Sequence, residues 1–256
     1  MCQPYADAMM LTEPEPDDTA PWTDATRARL AVSLAARELA DSLIGWVPIP
    51  PAELTITGGQ HRPLPDRTSI DDADRLRSRV EDFVELVAVY EMVSGATWEM
   101  LGDDLGISRQ SAHRRYAEAL DRFKGALLEA EDGVEGSFRL PEGADNPEYW
   151  GPRLDKWYRE RRRPSDPAQQ DDPVSGGMTR LHPHIELMRL QRRRSRLLGE
   201  YLVPPAEKIL PIAERELVLW KQLGEAGHDV ADAIERLQRQ IAELRATTVA
   251  DAGADS

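Results

Sequence analysis

Polar side chains that can hydrogen-bond to nucleic acid are concentrated in one short stretch of the chain, residues 97–115. Arginine reads guanine and glutamine reads adenine through paired hydrogen bonds in the major groove, and serine can serve either base. The side chains expected to contact bases are Arg109, Gln110, Ser111 and His113. The side chains expected to hold phosphates, which fix orientation rather than sequence, are Thr97, Ser108, Arg114 and Arg115. A solvated surface histidine is an equally good interpretation of His113.

The residues around this stretch predict two helices joined by a tight turn. Leu101 followed by Gly102 supplies an apolar residue and then a very small one, as the close crossing of the second helix requires. Leu105 precedes the turn, Gly106 tolerates the left-handed backbone of the turn, and Ile107 can fill the core after it. This spacing predicts a helix-turn-helix centred on residues 97–120.

The second helix of this motif is expected to begin directly after Ser108, whose side chain can cap it. Ala112 and Tyr116 are spaced by one helical turn and are predicted to point inward. Leu120 and Phe123 can extend the same apolar face. The arginines and the glutamine of this helix are then left on the outward side, where they can reach a duplex.

The stretch from Thr97 to Arg109 resembles the promoter-reading helix-turn-helix of bacterial sigma factors, Thr-x-x-x-Ile/Leu-Gly-x-x-Leu-Gly-Val/Ile-Ser-Arg. It is still more similar to an actinobacterial variant, through Gly95-Ala96-Thr97-Trp98 and residues 108–116. The resemblance covers about residues 75–125 and implies that the second helix binds DNA. Arg115 stands where the sigma pattern has an aliphatic residue. A separate polymerase-binding sigma region is not found in the sequence, so the chain is not interpreted as a sigma factor.

The whole chain is predicted to be all-α, because its apolar residues follow helical spacing and its prolines gather between the helical pieces. Apolar residues at steps of four and three predict a C-terminal antiparallel helix pair or coiled coil; they are Val230, Ile234, Leu237, Ile241 and Leu244. The predicted segments are a disordered acidic tail (1–22), an N-terminal helix and proline-rich linker (23–68), the helix-turn-helix domain (69–130), a linker with a basic-aromatic patch at 149–163 (131–180), a helical dimerisation or partner-binding region (181–247) and a disordered tail (248–256).

The formal net charge of −14 opposes the binding of nucleic acid if it is taken as a sum. The acids, however, dominate the tails and linkers, whereas the arginines are bunched. The single cysteine excludes an internal disulfide bond, and no apolar stretch approaches the roughly 18 residues of a membrane span. The first residues lack the basic region of a secretory signal. We therefore expect a cytoplasmic, nucleoid-associated protein without membrane contact.

The sequence lacks the phosphate-loop, dinucleotide, zinc-protease and hydrolase signatures, so neither an enzyme nor a cofactor is expected. His182, His184 and Glu186 make only a weak metal motif. The sequence predicts a sequence-specific duplex DNA-binding protein, with a transcriptional regulator as the favoured class. Residues 206–246 are candidates for homodimerisation.

Two alternative functions remain open at this stage. One is a DNA-binding adaptor in replication, partition or phage-related processes. The other is a protein–protein interaction module that docks on a basic partner such as RNA polymerase. The arginine cluster at 189–196 fits a phosphate backbone, an acidic protein surface or a solvated helix face. The patch at 149–163 fits single strands, a minor groove, a docking segment or a flexible linker.

Overall fold

The computed structural model describes residues 13–48, 69–132, 138–162, 171–201 and 204–254. In these ranges the protein is all-α, which confirms the predicted fold class. The helices described there are α1 (Asp24–Ile44), α2 (Ser69–Val93), α3 (Trp98–Leu105), α4 (Arg109–Asp132), α5 (Glu142–Asp145), α6 (Pro147–Arg161), α7 (Pro183–Glu200), α8 (Ala206–Glu225) and α9 (Ala231–Ala254). The predicted proline-rich linker falls on residues 49–68, which lie outside the described residues. The chain divides into two compact units, residues 22–179 and residues 1–21 with 180–256.

The unit of residues 22–179 is built on α1 and α2. Thr23 caps α1, because its side chain accepts a hydrogen bond from the backbone N–H of Thr26 at 3.1 Å. The two helices run antiparallel: the Arg29 guanidinium lies over the ring of Tyr90, and Arg79 donates to Ser42 near the other end. The buried core that they share with α4 contains Ala28, Ala31, Val89, Ala119, Leu120, Phe123 and Leu127.

The segment 131–180, predicted to be a linker, instead carries α5 and α6, and both helices pack on α1. A Cβ added to Gly143 would lie 2.6 Å from the carbonyl oxygen of Leu30, so α5 approaches α1 to backbone distance. Leu154 of α6 is buried with Leu30 and Leu34. The prolines of this segment predicted breaks between helices. Pro147 instead stands in the first turn of α6, a position where proline favours a helix.

The unit that contains residues 180–256 is a three-helix bundle of α7, α8 and α9. The chain reverses between α8 and α9 at Gly227, whose φ is +95°. Leu223 packs with Val230 near this turn, and Ala213 packs with Ile241 farther away. The predicted C-terminal antiparallel helix pair is thus present, with α7 as a third member. The predicted tail at 248–256 differs from the structure, in which α9 continues to Ala254.

Residues 13–21, predicted to belong to a disordered tail, accompany this bundle. Ala20 is buried, with 2% of its surface exposed. Arg215 on α8 holds this segment against the bundle, since its guanidinium donates to Asp17 at 3.0 Å and to Glu186 on α7 at 2.6 Å. Asp17 also accepts a hydrogen bond from the amide of Gln222. One arginine therefore ties the N-terminal segment to two helices of the bundle.

Candidate nucleic-acid interface

The turn between α3 and α4 leaves no room for a side chain at Gly102. A Cβ at that position would lie 2.8 Å from the carbonyl oxygen of Ile107 and 3.2 Å from the backbone nitrogen of Arg109. Gly106 ends α3 with φ +65°, and the N–H of Ile107 then donates to the carbonyl of Gly102 at 2.9 Å. The predicted small residue and turn glycine thus stand where the fold needs them. The backbone of the turn and of the first residue of α4 excludes any side chain larger than that of glycine at position 102.

The inward face of α4 is fixed by Ala112 and Tyr116, whose exposed fractions are 0% and 3%. Tyr116 packs with Leu101 of α3 and Ala88 of α2. This arrangement matches the predicted inward positions. Leu105, the apolar residue before the turn, has 39% of its surface exposed.

The hydroxyl groups predicted to hold phosphates serve as helix caps in the structure. Thr97 Oγ1 accepts a hydrogen bond from the N–H of Met100 at 3.3 Å. Ser108 Oγ accepts one from the N–H of Ser111 at 3.2 Å and donates to Ser111 Oγ at 3.0 Å. The hydroxyl of Ser111 is therefore shared with a cap, although it was predicted to contact bases. The N-terminal N–H groups of the two helices still offer an anion site beside these caps.

The outward face of α4 presents its first arginines to solvent. Arg109, Gln110 and Arg114 are all exposed. Within the described ranges, no carboxylate forms an ion pair with Arg109 or Arg114. Arg115 is exposed too, with its guanidinium 5.3 Å from the ring centroid of Tyr116. The first turns of α4 thus combine a rigid inner face with unneutralised positive charge outside.

His113 is positioned by an aromatic contact across the motif. Its ring lies edge-on to Trp98, with 5.1 Å between the ring centroids. The contact joins the first residue of α3 to the second turn of α4, and it limits how far the imidazole can swing. His113 remains exposed, so its position is compatible with a base contact and with a surface role.

A cleft borders the outer face of α4 one turn farther along. Its volume is about 490 Å³, and Arg114, Asp121, Arg122 and Phe138 are among the residues that line it. Phe138 is 44% exposed, and its backbone N–H donates to Glu129. Sequence reasoning missed Phe138 because it follows α4 in a segment that was interpreted as a linker. The spacing of residues in the sequence does not indicate that Phe138 packs against Gly125.

The basic-aromatic patch at 149–163 is used inside its own unit over its described residues. Trp157 donates from its indole nitrogen to Asp41 at 3.1 Å, and Arg161 pairs with the same carboxylate. Arg153 stacks on Tyr149, with 3.5 Å from the guanidinium carbon to the ring centroid. These contacts favour the interpretation of the patch as a docking segment, here for α1, over a platform for single strands.

Three histidines meet in the three-helix bundle. His184 lies between His182 and His228, with ring centroids 5.4 Å and 5.1 Å away. Burial, followed by the neighbouring imidazoles of His228 and His182, lowers the pKa of His184 from its ordinary value. Glu186, named with His182 and His184 as a weak metal motif, binds Arg215 instead. The part of the chain that the structure describes contains no cluster of three metal-ligating side chains in a suitable arrangement.

Among the helices described, not one has both the length and the apolar character needed to cross a bilayer. The chain matches no protein-family model, no curated protein and no solved structure. The interpretation of its function therefore depends on the geometry of the chain itself.

Proposed function

We propose that the protein binds duplex DNA in a sequence-specific manner and acts as a transcriptional regulator, with the start of α4 in the major groove. One observation carries this proposal. The inner face of α4 is locked by Ala112 and Tyr116, while Arg109, Gln110 and Arg114 stand exposed on the opposite side. A rigid helix with free bidentate donors is what direct readout of bases requires.

In the proposed complex, Arg109 and Gln110 read bases, with Ser111 and His113 beside them. Arg114 and Arg115 hold phosphates on the two sides of the helix. At Thr97 and Ser108, the backbone N–H groups of the helix starts replace the hydroxyls as phosphate donors, since the hydroxyls are engaged as caps. Such a role would place the protein on the nucleoid in the cytoplasm.

A homodimer formed through residues 206–246 would have to use the outer surface of the bundle. The apolar stripes of α8 and α9 face each other within one chain, through Ala213, Leu237 and Ile241. The stripes that were predicted to dimerise are therefore already covered. Val218 of α8 remains 42% exposed on the outside.

The experiment is a selection of random duplex DNA on the purified chain, followed by sequencing of the retained molecules. Enrichment of a palindrome would indicate a dimer on two half-sites, and enrichment of a single half-site would indicate a monomer. Both results support the proposal. A failure to enrich any sequence at low salt would contradict it and would favour the protein-docking alternative.

The double variant Arg109→Ala with Gln110→Ala tests the assignment of α4 as the reader. Each paired base contact is worth about 1–3 kcal/mol, so selectivity for the enriched sequence should fall by one to several orders of magnitude. The matched control is Gln238→Ala with Arg239→Ala, which removes the same two residue types from an exposed stretch of α9. Unchanged selectivity in the α4 variant would show that another surface reads the DNA.

A further inference from the structure

We propose that a cleft between α1, the end of α2 and residues 173–178 binds a small organic anion, namely a monocarboxylate with a compact apolar body. The cleft lies entirely in the unit of residues 22–179, and it is separate from the outward face of α4. Its volume is about 290 Å³, near the lower end of the range for small-molecule sites. This inference does not depend on DNA binding.

The anion would be held at the mouth of the cleft by Arg29. The guanidinium donates to Ser33 Oγ at 3.0 Å and lies 5.8 Å from the ring centroid of Tyr90. These two contacts fix its direction without neutralising it. Within the described residues Arg29 has no carboxylate partner, whereas Arg37 on the same helix pairs with Asp41 at 3.5 Å. A carboxylate is the bidentate partner that an oriented guanidinium prefers.

The lining of the cleft is part polar and part apolar, and Val174, Met178 and the edge of Leu30 supply the apolar part. Inorganic phosphate would leave this apolar part without a contact, and a neutral apolar molecule would leave Arg29 without an anion. The combination selects a molecule that carries both parts. Tyr90, whose ring lies 5.8 Å from the Arg29 guanidinium, also lines the cleft.

The wall contributed by residues 173–178 is held in place before any ligand arrives. Asp155 on α6 is 1% exposed, and its carboxylate accepts hydrogen bonds from the N–H groups of Val174 and Ser175 at 2.7 Å and 3.2 Å. Met178 packs so closely on Gly151 that an added Cβ would lie 2.7 Å from its sulfur atom. A preformed wall reduces the ordering cost of binding.

The test is a titration of the full chain with benzoate, followed by the backbone amide resonances. We expect saturable shifts confined to residues 26–33, 90 and 173–178. Two further probes separate the two halves of the site: benzyl alcohol keeps the apolar body without the charge, and inorganic phosphate keeps only the charge. Each should bind roughly tenfold more weakly than benzoate or worse, because benzyl alcohol lacks the charge that pairs with the guanidinium and phosphate lacks the apolar body that contacts Val174 and Met178.

Arg29→Gln should weaken benzoate by the same tenfold or more. The matched control, Arg75→Gln, removes the same charge from the exposed surface of α2 and should leave the affinity unchanged. Ser33→Trp, which places a large ring in the cleft, should abolish the shifts by a second route. Equal affinity in wild type and Arg29→Gln, shifts that map elsewhere, or no saturation would overturn the proposal. Because no DNA is present, none of these failures affects the proposed function.

Discussion

Arginines are put to opposite uses in two regions of this molecule. On α4, Arg109 and Arg114 are exposed, and no described carboxylate pairs with either of them. In the three-helix bundle, Arg215 binds Asp17 and Glu186, and Arg194 binds Glu216 at 3.1 Å. Arg215 and Arg194 stabilise their own unit, whereas Arg109 and Arg114 are available to a ligand. Whether an arginine is paired depends on the carboxylates that the fold brings near it. The number of arginines nearby in the sequence does not determine this.

Electrostatics in the bundle reinforce this difference. The hydrogen bonds from Arg215 hold the pKa of Asp17 well below its usual range. Burial raises the pKa of Glu216, and Arg194 opposes that rise through its charge and its hydrogen bond. Arg194 also donates to Gln240 of α9 at 3.0 Å. At least one arginine of the cluster 189–196 therefore serves as an internal connection between helices.

The largest effect is expected when Arg215 is replaced by methionine. Glu186 has only 4% of its side chain exposed, so the variant leaves a buried carboxylate without its cation. Breaking such a pair costs roughly 3–5 kcal/mol, and the loss should appear as faster hydrogen exchange across α7 and α8. Arg239→Met is the control, because Arg239 and Glu235 form an exposed pair on α9 worth about 1 kcal/mol at most. If both variants were equally stable, the pairs of Arg215 with Asp17 and Glu186 would not stabilise the bundle.

A second prediction concerns the turn that presents the α4 arginines. Gly102→Ala introduces a Cβ only 2.8 Å from the Ile107 carbonyl oxygen, and overpacking of this kind costs about 1–3 kcal/mol. The loss should be measured as reduced protection of α3 and α4 amides. Gly199→Ala on α7 is the control, because its Cβ would meet no atom within 4 Å. The control should be neutral or gain about 0.5–1 kcal/mol. An equally protected Gly102→Ala variant would argue against the tight turn.

The third prediction is that the free arginines of α4 can be removed at little cost to folding. Arg109→Gln and Arg114→Gln should each change the free energy of unfolding by less than about 0.5 kcal/mol, as is usual for surface sites. If DNA binding is as proposed, Arg114→Gln should also lower the salt dependence of duplex affinity by about one ion. A destabilisation as large as that of Arg215→Met would remove the distinction between the two regions.

The sequence predicted the elements whose signals are local. The cap Ser108, the turn residue Gly106 and the inward pair Ala112 and Tyr116 all lie within a few residues of the feature they control. Helical periodicity likewise predicted the antiparallel pairing of α8 and α9. These signals arise from backbone geometry and side-chain spacing, which a single segment contains.

Pairings between distant segments could not be predicted in this way. The contact of Gly143 with Leu30 joins positions far apart in the sequence, and so does the pair of Asp17 with Arg215. A proline-rich segment gives the same local signal whether it is a free linker or a helix that begins at a proline. For the candidate site, spacing predicted which residues of α4 face outward, but the cleft beside Arg29 depends on residues that meet only in the folded unit.

The smallest expected effect is a pH dependence of the three-helix bundle that the unit of residues 22–179 should not share. Burial and the imidazoles of His228 and His182 lower the pKa of His184 below 6.5, while Glu13 opposes the shift. The unfolded chain therefore takes up this proton more readily than the folded chain, so stability is lost as the pH falls below about 6.5. The loss is complete once the pH is below the folded pKa.

Hydrogen exchange of α7 amides at about pH 7 and about pH 5, corrected for intrinsic rates, measures this effect. His184→Gln should reduce the loss of bundle stability between the two conditions, because the group that titrates differently in the two states is gone. His113→Gln, which removes an exposed histidine from α4, should leave the loss in the bundle as it is in the wild type. If instead the two variants lost the same stability as the wild type, the histidine cluster would not contribute to the pH dependence. The pH dependence of the bundle would then have to come from groups other than these histidines.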